Sequence, residues 1–118
     1  MAATLKRFAA RPVSIRNSPW VTVMTFDEFT ASLTNDTPPL SLSPYLTALW
    51  HEKRGDWNTA HELVQEIETR EAAVIHAYLH RREGDVGNAQ YWYRQTKRQA
   101  KLDLALNEEW ESLVRELL

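Results

Sequence analysis

Four histidines fall between positions 51 and 80 of this 118-residue chain: His51, His61, His76 and His80. His76 and His80 stand four residues apart, which on a helix puts both imidazoles on one face. Imidazole is a ligand for zinc and other divalent transition metals. With Glu83 a turn further on, and His51 brought in from a neighbouring element, a zinc site can be drawn from His51, His76 and His80. No HExxH spacing or comparable metal signature accompanies them. An imidazole that packs and hydrogen-bonds across to an adjacent helix accounts for the same residues. That structural role is the reading adopted, so no cofactor is expected.

Other chemistry finds little footing. The chain has no cysteine, which excludes disulfides, thiolate metal sites and thiol nucleophiles and fits a reducing, cytoplasmic setting. It has neither a Gly-rich phosphate loop nor a nucleophile elbow, and its carboxylates fall on helix faces expected to be solvated. A non-enzymatic protein is therefore expected, the alternative being a histidine-based metal-binding protein or hydrolase. The net charge of −2 gives no drive toward nucleic acid or anionic membrane. Tyr91-Trp92-Tyr93, beside Arg94, Lys97, Arg98 and Lys101, reads as core and cap packing rather than as a base-stacking platform. No apolar run reaches the 18 or so residues of a membrane span. The tripeptide Arg54-Gly55-Asp56 could suggest cell adhesion, but its surroundings read as helix punctuation.

The elements that must carry these residues follow from local signals. Residues 1–24 hold Pro12 and Pro19, show no steady period, and are expected to form a loose extension; Met24 is an alternative natural start. Thr25-Phe26-Asp27-Glu28 is a capping box, and Phe26, Phe29 and Leu33 share one face of the short helix that follows. Ser43-Pro44 opens the next helix with a side-chain cap and a proline whose missing N–H costs nothing there. Gly55 ends it and Asp56 caps its successor, whose buried stripe is Ala60, Leu63, Val64 and Ile67. Near the C-terminus Leu106, Trp110, Leu113 and Leu117 form one apolar stripe, with Glu108, Glu109, Glu111 and Glu116 mostly off it.

Residues 45–64 and 74–93 align at an offset of 29: Ala48 with Ala77, His51 with His80, Gly55-Asp56 with Gly84-Asp85, and Ala60 with Ala89. Each copy needs a glycine to close one helix and an aspartate to start the next, which is why Gly-Asp occurs twice. The pattern resembles the tetratricopeptide repeat. Ala48 and Ala77 match its small first-helix position, Gly55-Asp56-Trp57 its turn, Ala60 and Ala89 its tight second-helix position, and Tyr93 its second-helix aromatic. The period of 29 is shorter than the usual 34 or so, and His51 and His80 stand where that family usually has a tyrosine. The chain is also similar to a set of small bacterial proteins of this type.

The resemblance implies a single all-α domain over residues 25–118, with two hairpins at about 43–68 and 71–98. Cap helices are expected before the hairpins and at about 101–117, the latter along the second hairpin. It also implies a concave face built from Tyr45, Leu49, Glu52, Tyr78, Arg81 and Arg82. Aromatic and arginine residues are enriched at binding hot spots, and guanidinium forks suit carboxylates. The expected function is a protein- or peptide-binding module whose partner offers an acidic group or a free C-terminus. Pairing of two copies through the C-terminal stripe is a further expectation.

Overall fold

The computed structural model describes residues 24–97 and 104–118. The expected extension before Met24, and the expected helix start at 101–103, lie outside these residues. Among the described residues there are six helices and no strand: α1 Phe26–Ser32, α2 Pro44–Lys53, α3 Trp57–Val64, α4 Arg70–Arg82, α5 Val86–Gln95 and α6 Leu106–Leu117.

The helix ends are set by the side chains the sequence offers. Thr25 Oγ1 accepts the Glu28 amide at 3.0 Å, and the Glu28 carboxylate accepts the Thr25 amide at 2.9 Å, closing the capping box of α1. Ser43 caps α2 through the Leu46 amide, and Thr69 caps α4 through the Ala72 amide. The α2–α3 and α4–α5 turns are built alike. Gly55 and Gly84 take φ of +89° and +92°. The Asp56 amide reaches His51 O, and the Asp85 amide reaches His80 O, each at 2.9 Å. The glycine amides bond Glu52 O and Arg81 O, completing a Schellman closure in both copies. Each aspartate then caps the next helix, through the Thr59 and Asn88 amides. Arg54 is tied down as well: its guanidinium lies over the Trp50 ring and donates to Leu33 O. The Arg-Gly-Asp tripeptide is thus part of a helix closure.

α2 packs on α3, α4 on α5, and α3 against α4. Ala48, Ala60, Ala77 and Ala89 are fully buried, letting the helices approach closely. The main core joins Leu46, Leu49, Trp50, Val64, Ile75, Tyr78 and Leu79 to Phe29 of α1 and to Trp110, Leu113 and Val114 of α6; Met24 packs at its edge. A smaller cluster holds Ala77, Ala89 and Tyr93 with Trp92 beside it.

The C-terminal helix differs from expectation in placement. It begins at Leu106, where the Glu108 carboxylate accepts the Ala105 amide. It lies across both α2 and α4 rather than along the second hairpin alone. The reason is Trp110. Its ring meets Phe26 and Phe29, and its indole donates to Leu49 O at 3.0 Å, so the side chain sits between α1 and the first hairpin. Burying an aromatic of this size contributes on the order of 4 to 6 kcal/mol before ordering costs. No helix among the described residues is long and apolar enough to cross a membrane.

Candidate functional site

The expected partner-binding face is occupied by the chain itself. Leu49, Glu52 and Tyr78 are buried, and Tyr45 spends its hydroxyl on Thr69 Oγ1 at 2.9 Å. Arg81, only 11% exposed, pairs with a fully buried Glu109 at 2.6 Å and donates to Leu104 O. Glu109 also accepts from the Tyr93 hydroxyl. Glu52 accepts from the Tyr78 hydroxyl at 3.0 Å and pairs with Arg82 Nε at 3.1 Å. Burial raises the Glu52 carboxyl above the ordinary range and drives the Tyr78 phenol up as well, with the nearby Glu52 charge adding to it. Of the six residues, Arg82 keeps the most open charge, at 43% side-chain exposure. The acidic partner expected opposite the arginines is, for Arg81, the chain's own Glu109. α6 fills the face because its stripe is wider than Leu106, Trp110, Leu113 and Leu117: Val114 and Glu109 are buried with it.

A second constellation is assembled between the hairpins. His76 and His80 lie on the buried side of α4 and stack on each other, with ring centroids 4.8 Å apart. The third imidazole beside them is His61 of α3, not His51. His61 Nε2 faces His76 Nε2 at 2.9 Å, and one nitrogen from each of His61, His76 and His80 falls within 4.8 Å of the others. His51 is held elsewhere, against Trp50 at the end of α2. The cause is the order of packing. The second helix of the first hairpin lies next to the first helix of the second hairpin, so α3 presents His61 to α4 while His51 stays on α2. Repeat symmetry points at His51, the equivalent of His80, whereas His61 aligns with Gln90 and has no histidine counterpart in the second copy. Its own signal is the spacing from Trp57, one turn earlier on the same face.

Two tryptophans wall the cluster. Trp57 stacks on His61 at 4.8 Å, and its indole donates to Leu79 O at 2.7 Å, which fixes the ring. Trp92 stacks on His76 at 4.2 Å. His80 bonds through Nδ1 to a Glu83 carboxylate oxygen at 2.8 Å. This turns the other ring nitrogen of His80 away from Glu83, the outer-sphere pattern that orients metal-binding histidines. Burial, then the neighbouring His61 and His80, holds the His76 imidazole down to about 4. Burial and His80 lower His61 too. Both rings are therefore neutral near pH 7, the form that ligates metals. Asp85 also comes near His80 and Glu83, but its carboxylate is committed to capping α5 through Asn88.

Comparison of the chain with protein-family models, with curated proteins and with solved structures finds no match.

Proposed function

We propose that this is a cytoplasmic metal-binding protein, built on two tetratricopeptide-like hairpins, that takes one divalent transition-metal ion between His61, His76 and His80. The observation that carries the reading is the convergence of three imidazole nitrogens, from two different hairpins, within 4.8 Å. Zinc binds imidazole nitrogen at about 2.0–2.1 Å in tetrahedral sites, which places its ligand atoms roughly 3.3 Å apart. The 2.9 Å His61–His76 separation lies just below that value, and the 4.8 Å limit on the set lies above it. Neutral rings and the Glu83 carboxylate behind His80 suit a cation. Between His61 and His76 the 2.9 Å contact is a hydrogen bond in the metal-free chain, and a cation would take the place of the proton the two nitrogens share. Imidazole-only donors favour zinc, nickel or copper over calcium or magnesium. Elemental analysis of the purified chain, loaded with zinc and dialysed, tests the proposal. One equivalent is expected for wild type and none for a His61→Ala, His76→Ala variant of unchanged helicity. No retained zinc in wild type would reject it.

The peptide-binding reading keeps one observation in its favour. A cleft of about 360 Å³ at the turn end is lined by Glu52, Gly55, Trp57, Arg82 and Glu83. A peptide carboxylate could reach Arg82 there by competing with Glu52. An Arg82→Gln variant that captures the same proteins as wild type would remove this reading.

A further inference from the structure

The three histidines leave an ion one protein ligand short of the tetrahedral closure that structural zinc sites show. Among the described residues the neighbouring groups do not supply the fourth. Glu83 is turned to Nδ1 of His80, and Asp85 to Asn88. Trp57 and Trp92 are walls without a lone pair to offer. The chain has no cysteine, and Met24 packs at the edge of the main core, on another part of the molecule. His61 is half-buried where His76 and His80 are buried, so among the described residues the α3 side is the more exposed side of the cluster. Charge points the same way. Imidazole ligands bring no negative charge of their own, so the ion keeps a net positive charge that thiolate ligands would cancel, with Glu83 as the one carboxylate paired behind His80.

Resting on the metal reading above, we infer that the ion held by His61, His76 and His80 keeps one coordination position open to solvent and exchanges small anions there. Water in that position, bound to zinc, loses its proton to solvent at a pH of roughly 7, so hydroxide is the resting anion near neutrality. Azide and small carboxylates such as acetate compete for the same position. Trp57 and Trp92 limit the ligand to one that is small or flat.

Cobalt(II) provides the test, because its visible bands report both coordination number and ligand exchange. The full-length chain, loaded with one equivalent of cobalt, is titrated with sodium azide and separately with sodium acetate. The expected result is a saturable shift of the bands by each anion, with one clean transition and the cobalt still bound after desalting. Bands that stay fixed while cobalt remains bound at one equivalent would show a closed site and overturn the inference, leaving the metal reading intact. Failure to bind stoichiometric cobalt at all overturns the metal reading, and this inference with it.

Discussion

Arg81→Met separates an internal role of Arg81 from a partner-binding role. The guanidinium is 11% exposed and meets Glu109, which is 1% exposed, at 2.6 Å; α6 has no other charge this deep in the core. Methionine keeps most of the aliphatic stem but leaves a buried carboxylate with the Tyr93 hydroxyl as its remaining described partner. Removing one partner of a buried pair costs roughly 3 to 5 kcal/mol, a large share of the 5 to 15 kcal/mol that holds a typical domain together. Glu109→Leu is expected to cost less, on the order of 2 kcal/mol. The freed Arg81 can still donate to Leu104 O and extend its head group toward water. The double variant, with both charges gone, is expected to recover to within about 1 kcal/mol of wild type. Urea unfolding followed by fluorescence of Trp50 and Trp110 gives the readout. With a slope of about 2 kcal/mol per molar, the single Arg81 change moves the midpoint by roughly 2 M. A loss below 1 kcal/mol for Arg81→Met, or strictly additive losses in the double variant, would refute a buried bridge and with it the docking of α6. Arg81→Glu would set two carboxylates together inside the fold, so its effect on partner capture would report unfolding rather than a lost contact.

Three further outcomes are expected. Glu83→Gln weakens the carboxylate behind His80 and should lower zinc affinity about 10- to 100-fold with little change in melting temperature, as read by competition with a chromophoric chelator. The metal-free protein should lose stability as pH falls below 6.5. His76 titrates at about 4 in the fold against 6.5 unfolded, so the unfolded chain binds more protons across that window. About 2 kcal/mol should be gone by pH 4.5, visible in urea midpoints, with Glu52, whose carboxyl is raised by burial, working in the opposite direction. Gly55→Ala and Gly84→Ala should each cost about 1 to 2 kcal/mol through the left-handed backbone alone, since an added Cβ meets nothing within 4 Å at either place. An unchanged melting temperature for both would contradict the closure geometry.

The parts of the fold legible in the sequence were those written by local chemistry. Thr25 with Glu28, Ser43 with Pro44, and the paired Gly-Asp turns each satisfy backbone groups a few residues away, so their spacing alone locates the helix ends. What could not be read was set by contacts distant in sequence. Glu109 looks like one more surface carboxylate in an acidic helix. Only the placement of Arg81 and Tyr93 makes it a core residue. Trp110 sits on a visible stripe, but that the stripe spans both hairpins depends on Phe26, Phe29 and Leu49 offering one shared niche. The histidines show both cases. The i, i+4 spacing joined His76 to His80 correctly on one face of α4, whereas the third member followed from which helix lies next to α4. Repeat symmetry names His51 as the counterpart of His80, and packing order selects His61 instead.

X-ray absorption at the zinc edge, on the chain loaded with one equivalent of zinc, addresses the metal site most directly because it reads ligand type and distance together. Three imidazole nitrogens at about 2.0–2.1 Å with one further light-atom ligand are predicted, and His61→Ala should reduce the imidazole count to two or abolish binding. A zinc environment made of oxygen donors alone, or an imidazole count unchanged by His61→Ala, would contradict a site formed by His61, His76 and His80.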